Sequence, residues 1–215
     1  MDVSGASGRG IYVGICGNIG VGKTRLTRVL SERLGWEAFY EPVIANPYLE
    51  DFYADMARYA FHLQVFFLSE RFRAMQTCVA AGRSLIQDRT LYEDGEIFAP
   101  TLRDLGMLSD RDYQNYRALY ETLLTTVRPP DLILLLTAPT DVLLERIRRR
   151  DRPYERHVDA AYLERLERRY EEWGSKIEQT VPVRRIDTSK LDLEKGDGSL
   201  ERIVADLTAW ARGEG

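Results

Sequence analysis

A chain of 215 residues can bury one core, and 44% hydrophobic with 30% charged residues describes an ordinary globular protein. A net charge of −4 argues against a general nucleic-acid binder, which carries a basic excess. The two cysteines, Cys16 and Cys78, make no disulfide framework, no run approaches the ~20 apolar residues of a membrane span, and the Gly/Ser-rich start lacks a signal-peptide core.

These features predict a flexible segment over 1–10 and a single domain over 11–212. They also predict a cytoplasmic location without membrane or nucleic-acid partners.

In chain order, the apolar run Ile11–Cys16 reads as a buried strand, with Cys16 a small core residue. It runs into Gly17-Asn18-Ile19-Gly20-Val21-Gly22-Lys23-Thr24, which fits the phosphate-binding loop pattern of Gly, four residues, Gly-Lys-Ser/Thr. Glycines let backbone N–H groups turn inward around a triphosphate, and the helix predicted over Lys23–Leu34 aims its positive end at the same anion. Lys23 can reach the β- and γ-phosphates, and the Thr24 hydroxyl can bind Mg²⁺. The loop predicts a nucleoside triphosphate ligand.

A second strand, Trp36–Phe39, precedes Glu41-Pro42-Val43. Proline keeps Glu41 extended at the strand end, where it is either a base for an attacking hydroxyl or a solvated loop carboxylate. The spacing predicts a long helix over Asp55–Ala81, on which Gln64 and Arg71 share a face. Gln64 offers the donor and acceptor that a nucleobase edge needs, although spacing alone equally fits an exposed glutamine. His62 reads as packed or surface rather than catalytic.

After a third strand, Ser84–Gln87, comes Asp88-Arg89-Thr90. An acid at a strand end opposite the phosphate loop suits a Mg²⁺ contact, and Arg89 suits charge developing on a transferred phosphoryl group. The alternative is a surface pair capping the next helix.

The remaining pattern is helix Asp110–Thr126, strand Leu132–Leu136, helix Asp141–Arg150, helix Ala160–Thr180, strand Val183–Ile186 and, after a Gly-rich break, helix Leu200–Ala211. Nine arginines fall between Arg146 and Arg169, a density that suits phosphate handling. Arg146 and Arg150 share a helical face and Arg152 follows, so the three suit a lid over a triphosphate within about 146–158. Arg148 and Arg149 read as a solvated face. Thr188-Ser189-Lys190 reads as the loop beside the donor adenine. Five strands alternating with helices predict an α/β fold, a five-stranded parallel sheet covered on both faces, with functional loops at the carboxyl ends of the strands.

Phosphate loop, Glu-Pro-Val, Asp-Arg-Thr and arginine lid, in this order, resemble the deoxyribonucleoside kinases, closest to the bacterial deoxyadenosine/deoxycytidine branch. The most specific pieces are Asn46-Pro47-Tyr48-Leu49, Phe61-His62-Leu63-Gln64 and Gln87-Asp88-Arg89-Thr90-Leu91-Tyr92-Glu93-Asp94, and the resemblance runs from Ile11 to about Trp210.

It implies a P-loop kinase fold and the following roles. Glu41 activates the 5′-hydroxyl. Asp88 and Arg89 assist Mg²⁺ and hold the phosphoryl group. Tyr53 and Glu155 grip the sugar 3′-hydroxyl, Gln64 with Arg71 and Asp94 reads the base, and Phe98 packs on it. Asn46 stands beside the base, where animal members place a tryptophan, and Arg146, Arg150 and Arg152 form the lid.

The implied reaction is ATP-dependent phosphorylation of a 2′-deoxynucleoside to its 5′-monophosphate, with deoxyadenosine ranked first, deoxycytidine second and deoxyguanosine third. The acceptor-amino reading of Gln64 and Asp94 disfavours thymine, which would leave Asp94 an unpaired charge. A homodimer is implied, with the apolar helix over Asp55–Ala81 either joining a helix bundle or covering the sheet. The alternative is a nucleoside monophosphate kinase such as a thymidylate kinase. That enzyme would need a cationic pocket where Glu41 stands. A regulatory GTP switch would need an Asn-Lys-x-Asp motif that the chain lacks.

Overall fold

The computed structural model describes residues 10–40, 46–155, 158–191 and 198–212. Its elements are β1 (Tyr12–Gly17), α1 (Lys23–Leu34), β2 (Glu37–Phe39), α2 (Leu49–Ala54), α3 (Met56–Ala81) and β3 (Leu85–Asp88). There follow α4 (Leu91–Glu93), a π-helical turn (Asp94–Phe98), α5 (Ala99–Asp104), α6 (Asp110–Leu124), β4 (Leu132–Thr137) and α7 (Thr140–Arg150). The chain ends with a 3₁₀ turn (Pro153–Glu155), α8 (Ala160–Ile177), β5 (Val183–Asp187) and α9 (Ser199–Ala211).

The five strands form one parallel sheet in the order β2-β3-β1-β4-β5. Side chains alternate across it as a strand's period of two requires. Val13, Ile15, Leu134 and Leu136 face one layer, packed with Leu26 and Leu30 of α1, Leu143 and Ile147 of α7, and Ile203 and Leu207 of α9. Tyr12 and Leu85 face the other, against α3, α5 and α6. On that same side Cys16, Ile133 and Leu135 meet Leu166, Tyr170 and Trp173 of α8. Both faces are covered, as the alternating pattern predicts, and Cys16 is a buried free thiol.

β3 lies on one side of β1 and β4 on the other, so the strand order reverses beside β1. Ligands of open α/β sheets bind outside the carboxyl ends of the strands at such a reversal. Here those ends are Gly17, Asp88 and Thr137.

The predicted strands match within a residue or so, but two helical stretches differ. The segment before Asp55 is helical over α2, and Leu91–Asp104 is helical throughout rather than a connection. The second is set by Thr90 and Glu93, a capping box in which each side chain bonds the other's backbone N–H. Gly10, placed by the sequence in a flexible segment, is buried with its N–H on Gly82 O at 2.9 Å, while 1–9 lie outside the described residues.

Candidate active site

The loop after β1 turns sharply because Gly22 adopts φ 104°, a left-handed conformation that costs glycine least, and caps α1 there. Lys23 folds back so that Nζ donates to Gly17 O at 2.7 Å and Asn18 O at 2.9 Å. Ile19, Gly20, Val21, Gly22, Lys23 and Thr24 line a cleft of about 610 Å³.

Gly17 and Asn18, also expected to bind the nucleotide, shape the loop instead of lining it. The Gly17 N–H donates to Glu93 Oε1 at 3.2 Å. Asn18 Nδ2 donates to Leu163 O at 2.9 Å and Glu167 Oε2 at 3.1 Å, while its Oδ1 accepts from Ile19 N. These bonds tie the loop to α8. Burial raises the Glu167 pKa, and the Asn18 hydrogen bond acts the other way.

β3 delivers Asp88 and Arg89 into the same cleft, both buried, which excludes the surface-pair alternative. Thr24 Oγ1 donates to Asp88 Oδ2 at 2.5 Å, so the two expected metal contacts already touch. Arg89 has φ 66°, a left-handed backbone that is uncommon for a residue with a side chain and marks stored strain at a functional turn. Its N–H continues the sheet by donating to Ile15 O at 3.0 Å, and its guanidinium lies 4.2 Å from the centroid of the Phe98 ring. Tyr162 faces the same cleft, its hydroxyl pushed up to about 12 by burial, with Arg89 pulling the other way.

The far end of the cleft is lined by Gln64, Asp94, Phe98 and Tyr53. Arg71 stands behind Asp94, donating from one Nη to both carboxylate oxygens at 2.7 and 2.8 Å, and its guanidinium lies 4.9 Å from the Phe67 ring centroid. This corrects one sequence argument. Asp94 is already paired, so a base without an amino group would not strand its charge. Gln64 Oε1 is a buried acceptor lacking a hydrogen bond among the described residues.

Asn46 uses only one end of its amide, since Nδ2 is a buried donor without a hydrogen bond among the described residues. Its Oδ1 accepts from Tyr48 N at 2.9 Å, a turn that starts α2, and it is not among the cleft-lining residues.

The arginines divide by partner. Arg146 lines the cleft and donates to Val21 O at 3.3 Å, Thr188 Oγ1 at 2.9 Å and Thr188 O at 2.8 Å. Thr188 itself donates to Val21 O at 2.9 Å, so the loop after β5 is fastened to the phosphate loop. Burial lowers the Arg146 pKa, with the charges of Arg149 and Arg25 adding to it.

Arg150 and Arg152 converge on buried Glu155 at 2.5 and 3.6 Å. The sequence reading placed Arg149 on a solvated face, but it lines the cleft. Residues three as well as four apart share a helical face, so Arg146 brings Arg149 round with it. Arg25 and Tyr154 also line the cleft and were missed. Tyr154 stacks on Tyr53 with centroids 5.9 Å apart, joining the segment after α7 to α2. Arg156, His157 and Glu41 lie outside the described residues, although Tyr40 beside Glu41 lines the cleft.

One continuous cleft thus joins a phosphate loop, a buried acid-arginine pair and a polar base-sized end. A family model described as deoxynucleoside kinase matches residues 13–211.

The chain belongs to the deoxynucleoside kinase family.

It is 39% identical to the deoxyadenosine/deoxycytidine kinase of Bacillus subtilis, over 91% of this chain and 90% of that one. It is 41% identical to the deoxyadenosine kinase of Dictyostelium discoideum, over 84% and 74% respectively. A solved structure of deoxyadenosine kinase from M. mycoides with bound dCTP superposes with a TM-score of 0.81 at 30% identity, covering 93% of this chain and all of that one. The chain is therefore a deoxynucleoside kinase, an enzyme that uses ATP to phosphorylate a deoxynucleoside, and none of these relatives favours the thymidylate kinase alternative.

Proposed function

We propose that this deoxynucleoside kinase acts first on deoxyadenosine, then deoxycytidine, then deoxyguanosine. The observation that carries the reading is the base end of the cleft, where the acceptor Gln64 Oε1 stands with the Arg71–Asp94 pair. An amide beside a carboxylate-guanidinium pair can meet both a ring nitrogen and an exocyclic amino group, the edge that adenine and cytosine share. The Bacillus and Dictyostelium relatives are named for deoxyadenosine and deoxycytidine, which supports placing these two among the substrates. Phe98 supplies the ring that packs on the base, and Tyr53 with Glu155 holds the sugar 3′-hydroxyl.

For transfer, Glu41 takes the proton from the 5′-hydroxyl, and the 5′-oxygen attacks the γ-phosphorus in line. Lys23, Arg89, Arg150 and Arg152 offset the charge that spreads over the phosphoryl oxygens. Mg²⁺ suits the touching Thr24 hydroxyl and Asp88 carboxylate, since it is commonly held by one or two protein oxygens plus substrate phosphates. Bound there it would supply positive charge that offsets the negative charge of the phosphates. Arg146, which also lines the cleft, binds ATP beside Arg150 and Arg152 and fastens the donor loop. The same reading makes the enzyme a cytoplasmic homodimer.

The test is a set of initial rates with ATP and Mg²⁺ across the four natural deoxynucleosides. kcat/KM should fall from deoxyadenosine through deoxycytidine to deoxyguanosine, with thymidine poorest. Thymidine as the best substrate would overturn the base assignment.

A further inference from the structure

Glu93 has no part in the reading above, yet it is fully buried and sits among the parts that do. Oε1 accepts from the Gly17 N–H at 3.2 Å and from the Tyr170 hydroxyl at 2.7 Å, and Oε2 accepts from the Thr90 N–H at 2.8 Å. Arg89 Nε lies 3.9 Å from Oε1, within ion-pair range. A single carboxylate therefore touches the first residue of the phosphate loop, the residue after Arg89, the Arg89 side chain and α8. A buried carboxylate is costly unless its acceptors are filled, and here they are filled by these flanking groups. The charge burdens its surroundings: burial first and Glu93 second push the Tyr170 and Cys16 pKa values well up.

A helix cap alone needs far less. Serving only the Thr90 N–H would leave Oε1 idle, whereas Oε1 spans from Gly17 to Tyr170 beside Arg89. Arg89 itself is held in a left-handed backbone that relaxes unless its surroundings enforce it. Ile15 O fixes the residue from the sheet side, and Glu93 fixes the next peptide from the helix side while its charge faces the guanidinium at 3.9 Å.

We propose that Glu93 is a positioning residue for phosphoryl transfer, locking the phosphate loop to the Asp88-Arg89 turn so that the Arg89 guanidinium, within ion-pair range of the carboxylate and over the Phe98 ring, stays in register with the bound triphosphate. The inference rests on the reading that Arg89 stabilises the transferred phosphoryl group.

The test is a double-mutant cycle on the full chain with ATP and deoxyadenosine. Glu93→Gln keeps the shape and removes the charge, and kcat should fall about 10- to 100-fold, the scale of a small misplacement of a reacting group, with KM for deoxyadenosine nearly unchanged. Arg89→Ala should lose about 10²- to 10³-fold. The double variant should match Arg89→Ala within about threefold, since a residue acting through Arg89 has nothing left to position.

Multiplying losses would overturn the proposal, as would a Glu93→Gln enzyme with a lowered Tm and full kcat. If Arg89→Ala keeps its kcat, the reading of Arg89 fails and the inference falls with it. If Arg89→Ala is slow and Glu93→Gln is not, the inference alone fails. Should Glu93→Gln not accumulate folded, Tyr170→Phe takes its place in the cycle. It removes one of the bonds that orient Glu93 and should cost several-fold in kcat, an effect that vanishes in the Arg89→Ala background. Full activity of Tyr170→Phe would then overturn the proposal.

Discussion

Cations and their partners decide most of the chemistry at the scale of single residues. Arg146, Arg150 and Arg152 looked equivalent in sequence, but each is assigned by what it touches. Arg146 spends its fork on Thr188 and Val21, where it fastens two loops, while Arg150 and Arg152 converge on Glu155 in the cleft. Glu155 thereby links groups proposed to meet ATP with a group proposed to meet the sugar. The base proposed for the 5′-hydroxyl is Glu41. Replacing it with Gln should lower kcat by roughly 10²–10⁴, the usual scale of general-base loss, while nucleoside binding changes little. Steady-state kinetics check this, and a Glu41→Gln enzyme of near-normal kcat would remove Glu41 from the role.

Residue identity was legible wherever a short local pattern carries its own mechanism. The phosphate loop needs only its spacing to be read, and Asp88-Arg89 needs only a strand end beside it. Arg149 is exposed, as a solvated face requires, yet it also lines the cleft because residues three apart align as well as those four apart. Glu93 was visible as the fourth residue of Thr90-Leu91-Tyr92-Glu93, a capping-box spelling, but its contact with Gly17 is 76 positions away and no local pattern encodes it. Asn46 was placed near the base by resemblance alone, and only its Oδ1 is engaged by its own turn.

At the scale of elements, strands were the easiest to read. The three central ones, β1, β3 and β4, are short apolar runs buried almost throughout, while the edge strands β2 and β5 are only partly buried. Helices depend on packing and were harder. In the π-helical turn Asp94–Phe98, Tyr120 of α6 packs so closely on Gly95 that an added Cβ would sit 2.5 Å from the ring. Arg117 of α6 donates to Gly95 O at 3.0 Å and to Glu96 at 3.1 Å, so α6 braces the turn that carries Asp94 and Phe98. Nothing in the local spelling of 94–98 announces that brace.

α3 and α6 also form the face on which the dimer is proposed. Val65, Leu68, Phe72 and Leu123 line a groove between these helices, and Leu119 projects from its rim 40% exposed. A second copy covering that face would remove apolar surface from water, at roughly 25 cal/mol per Å². Leu119→Arg leaves the core of each chain intact and places a charge in the contact. Sedimentation should show a dimer for the parent chain and a shift to monomer for the variant. A parent chain that sediments as a monomer would remove this interface.

For the whole molecule, the strand order explains why donor and acceptor share one cleft. β1 carries the phosphate loop, β3 beside it carries Asp88 and Arg89, and the helical stretch after β3 turns Asp94 and Phe98 toward Gln64 on α3. Donor phosphates meet an acceptor alcohol because adjacent parallel strands end at the same level. A monophosphate kinase on this scaffold would need cations to hold the acceptor's own phosphate beside residue 41, where this sequence has an acid. The direct measurement is therefore the rate of ADP formation from ATP and Mg²⁺ with deoxyadenosine as acceptor, set against deoxyadenosine 5′-monophosphate at the same concentration. The account predicts steady turnover with the nucleoside and none above background with the monophosphate. Faster turnover with the monophosphate would contradict it.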